Sequence, residues 1–277
     1  MLTITTCCQY PEPPATLIAV QQRLQALGID TAFDTWQNRP QSPYLLPLCA
    51  WDYSEQPEAF RHWLYAAQAA GSRFANAPDL MMWNSDKRYL CDLAAQGVDV
   101  IPSLYLEHAD RENLARIMRQ NAWQQAVIKP AVGQSGKQVQ KISPAHMPAD
   151  CSAYRNGMMI QPYIAETAGG GEICMVFFQG QYSHAVRRQP PQGEWRANSA
   201  YGVAILPYQP AEHIIAAAQA VVQKLPELPL YARVDGTLIG QNLLLNELEL
   251  IEPSLYLDQA AGAVERFVQA VAEWVAR

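Results

Sequence analysis

Two hydrophobic rhythms alternate along the chain, one with a period of two residues and one with a period of three to four. "LTITTCC" at 2–8 reads as a strand. In "PATLIAVQQRLQALGID", Leu17, Val20, Leu24 and Leu27 recur at helical spacing and Gly28 supplies a stop. "TAFDTW" and "LLPLCAW" are strand candidates, and "QPEAFRHWLYAAQAAG" is a second helix closing at Gly71. This alternation predicts a small parallel α/β unit, because parallel neighbours need a crossover connection.

The rhythm then changes. "NSDKRYLCDLAAQG" predicts a helix with Asn84 or Ser85 as N-cap and Gly97 as stop, followed by a strand in "DVIPSLYL". "DRENLARIMRQ" is a helix, "QAVIKPA" a strand, "VGQSGKQ" a turn, "VQKI" its returning strand and "MMIQPYI" another strand. Beyond Gly171, "EICMVFFQGQYSHAVRR" predicts a hairpin turning at Gln179-Gly180. "AEHIIAAAQAVVQKL" is a helix, "LYARVDGTL" and "QNLLLNELELI" are strands, and "AVERFVQAVAEWVAR" is an amphipathic helix. The pattern changes divide the chain into expected units 1–83, 84–165 and 166–277.

Composition narrows the function classes. Of 277 residues 49% are hydrophobic, and 26 acids against 20 bases give a net charge of −6. Such a balance does not favour a nucleic-acid or anionic-membrane surface. The six cysteines show no C-x-x-C spacing, which favours small buried thiols over a disulfide or zinc framework. "MLTITTCCQYPEPP" lacks a basic n-region, and no stretch reaches the ~18 apolar residues of a spanning helix. A soluble, cytoplasmic protein is expected.

Candidate chemistry sits in "LLLNELELIEPSLYL", an apolar strand carrying three carboxylates. If it pairs with "ARVDG" about a turn centred on Gln241, Asp235 lies opposite Glu247 and Arg233 opposite Glu249. Side chains two apart share a face, so this register gathers three carboxylates and an arginine. Carboxylates that close repel, and a hard divalent cation such as Mg2+ relieves the repulsion. An isolated E-x-E is more often a solvated acidic face; Asp235 and Arg233 on the neighbouring strand weigh against that here. Glu252 falls off the alternation before Pro253 and stands apart as a candidate contact either to substrate or to the residues that support the site.

Upstream, Lys129 ends a strand and precedes Gly133, Gln134, Ser135 and Gly136, a turn whose N–H groups could approach phosphate. The spacing is not that of a P-loop. Arg187, Arg188 and Arg196 crowd a short span of a charge-poor chain, which suggests an anion. The five histidines receive no catalytic role, and His184 reads as a packed or surface residue.

In order, Asp86-Lys87, the I-K-P at Lys129, the Gly/Ser loop, Q-P-Y-I at Gln161, G-E at Glu172, R-x-D at Arg233 and E-x-E at Glu247 resemble the ATP-grasp superfamily. "AWDYSEQPEAFRHWL", "NAPDLMMWNSDKRYLCDL" and "ELELIEPSLYL" resemble its D-cycloserine synthetase-like branch, across nearly the whole chain. The resemblance implies an α/β (α+β) ATP-grasp fold, with a Rossmann-like N-terminal domain and two α+β subdomains clamping ATP. It further implies that Lys87 and Lys129 contact nucleotide phosphates and that Gly133–Gly136 close over them. Gln161, Pro162, Tyr163 and Ile164 would form the hinge receiving adenine, and Glu172 would bind ribose. Arg188, Arg196 and Asn198 would face the triphosphate, Asp235, Glu247 and Glu249 would ligate Mg2+, and Arg233 would stabilise the tetrahedral intermediate. Many relatives carry Asn in place of Glu249, and close relatives often have an arginine just before the tryptophan matching Trp51.

The implied reaction is ATP-dependent amide formation through an acyl-phosphate, between small carboxylate and amine substrates or by ring closure. A small-molecule kinase and a nucleotide-binding regulator remain alternatives on this fold. Trp51, Asp52 and Tyr53 read equally as substrate contacts or as aromatic packing with a turn-capping acid. Oligomeric state is left open.

Overall fold

The computed structural model describes residues 1–277, the side chain of Ser199 apart. The chain opens with β1 (Leu2–Thr6), α1 (Ala15–Ala26), β2 (Thr31–Thr35), β3 (Tyr44–Leu46), α2 (Pro57–Ala69) and β4 (Arg73–Phe74). These strands form a parallel sheet of order β2-β1-β3-β4, the expected α/β unit. Helix α1 buries Leu17, Val20 and Leu24, whereas Leu27 lies just past its end and is exposed, contrary to its place in the stripe. "LLPLCAW" pairs only as far as Leu46, because Pro47 brings no N–H to the ladder.

Two short helices follow, α3 (Pro78–Ser85) and α4 (Tyr89–Ala95). Asn84 and Ser85 therefore end a helix and do not cap one, which corrects the expectation. The Asn84 amide is used elsewhere: its Nδ2 donates to Leu248 O (2.8 Å), and its Oδ1 accepts from Leu250 N (2.9 Å). Next come β5 (Leu104–Leu106), α5 (Arg111–Gln120), β6 (Ala126–Pro130), β7 (Gln140–Ile142) and β8 (Met158–Pro162), with sheet order β5-β8-β6-β7. All three pairings are antiparallel. Asp110 caps α5 by accepting from Asn113 N at 2.7 Å. This sheet has its own small core around Leu114, Ile117, Ile128, Tyr154 and Ile160.

The remaining elements are α6 (Ala165–Gly170), β9 (Glu172–Phe178), β10 (Gln181–Gln189), β11 (Ala204–Tyr208), α7 (Glu212–Gln223), β12 (Tyr231–Ile239), β13 (Asn242–Glu249) and α8 (Ala263–Ala276). Their strands form an antiparallel sheet of order β11-β10-β9-β12-β13. The β9–β10 turn falls at Gln179 (φ 47°) and Gly180 (φ 74°), both left-handed as a primed hairpin turn requires. Strand β9 is buried throughout, because helices cover both sides of the sheet. Met175 and Phe177 pack with α4 and α7, while Val176 and Phe178 join Leu2, Ile4, Phe267 and Val271. The N-terminal unit and α8 thus share a core with the face of the five-stranded sheet that also carries Glu172, Arg233 and Asp235.

Candidate active site

The ladder between β12 and β13 decides which residues face the cleft. Its closing pair is Ile239 and Asn242, so the turn is Gly240-Gln241, and Gly236 pairs with Leu245. Continued unbroken, that register would set Asp235 against Asn246 and turn Glu247 and Glu249 toward the apolar side. A bulge between Asp235 and Gly236 leaves Asn246 as the extra residue and restores Asp235↔Glu247 and Arg233↔Glu249. The expected pairings are present, produced by a bulge and not by a turn centred on Gln241. Asn246 was not singled out from sequence, and it holds the bulge in place. Its Nδ2 donates to Glu172 Oε1 (2.6 Å) and to Thr237 Oγ1 (2.8 Å).

Two buried arginines stitch this face together. Arg188 Nη2 donates to Asp235 Oδ2 at 2.9 Å and to Glu172 Oε2. Arg233 donates from Nε to Asp235 Oδ1 and from Nη2 to Asp235 Oδ2, both at 2.8 Å, and also reaches Glu249. Asp235 is fully buried with both oxygens occupied by guanidinium groups, and Glu172 is committed to Arg188 and Asn246. Burial works against the ionised form of Asp235, but the two arginines outweigh it and hold the carboxyl below its ordinary range.

Across the cleft stand the two expected lysines. Lys87 Nζ lies 2.8 Å from Glu247 Oε1 and donates to Gly133 O at 2.7 Å. Lys129 pairs with no group among the described residues, and burial pushes its ammonium down to about 8. For Glu247, burial opposes ionisation, yet Lys87 and then Lys129 hold the carboxyl down at about 2. Glu249 behaves oppositely: burial pushes it up to about 7 against Arg233, with Asp235 and Glu247 adding to the rise. Glu252 is raised well above the carboxylate range, by burial first and Glu249 second.

The loop after Lys129 curls through left-handed Ser135 (φ 56°), Gly136 (φ 69°) and Gln138 (φ 59°). Gly136 has two reasons to be glycine: its φ, and a position where a Cβ would stand 2.7 Å from Asn198 Oδ1 and 2.9 Å from the Tyr201 ring. Tyr201 OH donates to Gly136 O at 3.1 Å, and the Arg196 guanidinium stacks 3.6 Å from the Tyr201 ring centroid. Arg196 is also held by Glu194, with Nη2–Oε2 at 2.7 Å. Lys137 ties the loop to the N-terminal unit through Glu55 at 2.5 Å.

In the segment 161–164, expected to be the hinge, Gln161 Nε2 donates to Ser103 Oγ (2.7 Å), and all four residues line the cleft. Tyr163 meets Trp195 edge-on at 5.9 Å, and Lys141 Nζ lies 4.3 Å from the Tyr163 ring. These aromatic neighbours come from separate segments, so sequence spacing could not pair them.

One cleft of about 810 Å³ runs past all of these groups. It is lined by Lys87, Lys129, Gly133–Gly136, Gln161–Ile164, Glu172, Arg188, Arg196, Asn198, Arg233, Glu247 and Glu249; Asp235 lies beneath the surface. Tyr10, Trp51, Tyr53, Glu252 and Tyr256 also line it, the Tyr256 ring lying 5.6 Å from the Arg233 guanidinium. Asp52 points away and is structural, accepting from Trp36 Nε1 (2.6 Å) and Gln37 Nε2 (2.7 Å). His184 is likewise structural: buried, with Nε2 2.8 Å from Leu255 O.

The face suits a divalent cation delivered with a polyanion. Glu247 and Glu249 offer hard oxygen donors to the cleft. Without a ligand the neighbouring lysines and arginines already offset the carboxylates, so a bare cation gains little. Gln134 Oε1, Asn246 Oδ1 and Arg188 Nε are buried without partners, all on residues lining this cleft. Such orphaned polar atoms fit a site shaped for a polar ligand.

Residues 2–76 match the model of the N-terminal domain of D-cycloserine synthetase DcsG, and residues 97–253 that of the ATP-grasp domain of prokaryotic glutathione synthetase. The cycloserine biosynthesis protein DcsG of Streptomyces lavendulae is 34% identical over 229 residues, 73% of each protein. The crystal structure of D-cycloserine synthetase DcsG superposes with a TM-score of 0.84 at 26% identity, covering 99% of both chains. D-alanine–D-alanine ligase from Bacillus anthracis, at 13% identity, shares the fold with a TM-score of 0.67 over 98% of this chain and 96% of that one. No helix of the described residues is long and apolar enough to cross a membrane. The chain belongs to the ATP-grasp ligases, in their D-cycloserine synthetase-like branch.

Proposed function

We propose that this enzyme uses ATP and Mg2+ to activate a small carboxylate as an acyl-phosphate and joins it to an amine as an amide, ADP and phosphate being released. The observation that carries this reading is the facing arrangement across one cleft. Lys87, Lys129 and the Gly133–Gly136 loop stand on one side, and Glu247, Glu249, Arg188 and Arg233 on the other. Phosphoryl transfer needs placement and charge neutralisation more than a protein nucleophile, which agrees with a cleft lining that holds no histidine among the described residues.

In this reading the units 1–83, 84–165 and 166–277 clamp the substrates, with 161–164 as hinge and adenine receiver. Lys87 leaves Glu247 to bind phosphate oxygens, and Lys129 gains a counter-charge that restores its ammonium. Arg196 and Asn198 follow the triphosphate. Glu247 and Glu249 hold the metal, which when bound would neutralise charge between phosphate groups. Asp235 joins them only if a guanidinium gives way, and Glu172 meets a ribose only by leaving Arg188 or Asn246. Arg233 lies within reach of the reacting carbonyl and offsets the developing oxyanion. Whether the amine belongs to a second molecule or to the same one distinguishes ligation from ring closure.

The test is an ADP-release screen of carboxylate and amine pairs, single molecules able to cyclise included, with hydroxylamine present. ADP release together with a trapped hydroxamate is expected. A stable phosphorylated product without hydroxamate would make the enzyme a kinase.

A further inference from the structure

Six residues other than glycine adopt a left-handed φ among the described residues, and Tyr256 (φ 48°) is the one aromatic side chain in that set. The conformation crowds the Cβ against its own backbone, and in a bulky residue it persists only where the surroundings enforce it. Here the chain is pinned on both sides. Leu255 and Leu257 are buried in the core shared with the N-terminal unit and α8. His184 Nε2 lies 2.8 Å from Leu255 O, and Gln259 N donates to Tyr256 O at 3.0 Å, closing a turn. Between these fixed points the Tyr256 side chain is turned out into the cleft lining.

The cation it meets there is Arg233, whose Cζ lies 5.6 Å from the ring centroid, within reach of a cation–π contact. The edges of that guanidinium are bonded elsewhere. Nε and Nη2 donate to Asp235, Nη2 also reaches Glu249, and Nη1 donates to Ser254 O at 3.1 Å. Arg233 is thus held at its edges by carboxylates and a main-chain oxygen, and by an aromatic ring over its face. The two kinds of support differ once the cleft is loaded. Glu249 faces the cleft as a hard oxygen donor, so its bond to Arg233 gives way when it turns to a metal. The Tyr256 ring carries no charge that a metal would claim, and it stays over the guanidinium whichever carboxylate leaves the edge.

We propose that Tyr256 is a positioning residue for the reaction, its ring keeping Arg233 in place after Glu249 has turned to the metal. The inference rests on the ligase reading of the cleft and adds a residue to it. Tyr256 moves no proton; it acts through Arg233, and the left-handed backbone is what aims the ring. The role belongs to the ring face, which phenylalanine shares, and not to the hydroxyl.

Three substitutions separate the ring from the backbone. Tyr256→Phe keeps the face, Tyr256→Asn removes it but tolerates a left-handed φ, and Tyr256→Gly removes it and is free in that conformation. The full-length proteins, isotope-labelled at arginine, are followed by NMR through solvent exchange of the Arg233 Nε–H, alone and saturated with Mg2+ and a non-hydrolysable ATP analogue. The free proteins are the reference, because there the carboxylates hold the edges. In the loaded state wild type and Tyr256→Phe should exchange slowly, and Tyr256→Asn and Tyr256→Gly about tenfold faster, as loss of a desolvated cation–π contact requires. With the acid and amine pair found by the ADP-release screen, the same two variants should lose kcat to a similar degree with the KM for ATP unchanged, and Tyr256→Phe should recover most of the loss. The proposal is overturned if loaded Tyr256→Asn and Tyr256→Gly exchange as slowly as wild type, or if Tyr256→Phe behaves as they do. Failure of the ATP analogue to bind wild type would instead overturn the ligase reading, and the loaded-state role of Tyr256 with it. Should Tyr256→Asn or Tyr256→Gly not fold, the other decides.

Discussion

The two sides of the cleft are held by different means. On the five-stranded sheet, the Arg188, Arg233, Asp235 and Glu172 side chains are all at least nine-tenths buried and bonded to one another. The loop 133–138 opposite is held by a half-exposed ion pair from Lys137 to Glu55 and by single hydrogen bonds from Lys87, Tyr154 and Tyr201 to its main-chain oxygens. The first side is preorganised by a network whose parts cannot be removed singly without cost. The second rests on separate bonds to single main-chain oxygens, each worth about 1 kcal/mol, which can be exchanged one at a time. A ligase that must admit two substrates and then exclude water needs both kinds of wall.

The sharpest way to break this comparison is to remove a charge from the rigid side. Arg188→Ala leaves Glu172 and Asp235 buried with their partner gone, and should destabilise the protein by about 3–5 kcal/mol, measured by urea denaturation. A loss below ~1 kcal/mol, the range of an exposed pair, would show that the network is not what holds this face.

The two sides also titrate in opposite senses. Glu249 is raised to about 7, so its contribution to stability is present below the ordinary carboxylate range and lost as pH rises through 7. Its ionised form, needed to hold a metal, appears over the same interval. Lys129 sits at about 8 and loses its ammonium above that. The kcat/KM for ATP should therefore rise through pH 7 and fall above pH 8, because that parameter reports the free enzyme. The kcat profile should be broader, since metal pulls Glu249 down and phosphate pulls Lys129 up. A flat kcat/KM profile from pH 6 to 9 would remove both groups from the site.

The smallest effect belongs to the loop latch. Lys137→Ala and Glu55→Ala should each change stability by no more than ~1 kcal/mol and raise the KM for ATP only a few-fold. The double variant should do no more than either alone, because one contact joins them. Independent, additive effects would deny the latch.

Much of this was legible in the chain. Period-two patterning located β12 and β13, and the E-x-E, one residue out of phase with its apolar neighbours, marked a polar face on a buried strand. The β9–β10 turn announced itself through Gln179-Gly180. What stayed hidden was set by tertiary context. Asn84 looks like a helix cap because its neighbours are helical, yet its amide is spent on the backbone of Leu248 and Leu250, at and just past the end of β13. The bulge at Asn246 depends on Glu172 and Thr237, from two other strands, and no local signal encodes it. Trp195 and Lys141 meet Tyr163 only through folding, so the aromatic wall near the hinge had no motif. Glu252 could be set apart by register alone; what surrounds it could not.

The central claim is that the acidic face is a magnesium–nucleotide site. Calorimetric titration of the non-hydrolysable ATP analogue, with and without Mg2+, into wild type and Glu247→Gln tests it most directly. In wild type, Mg2+ alone should bind weakly, because Lys87 and the arginines already offset the carboxylates, and the analogue should bind at least tenfold tighter with Mg2+ than without. In Glu247→Gln that enhancement should vanish, with the metal-free affinity kept or improved by the release of Lys87. An equal magnesium enhancement in both proteins would contradict the assignment of Glu247 and of the face it belongs to.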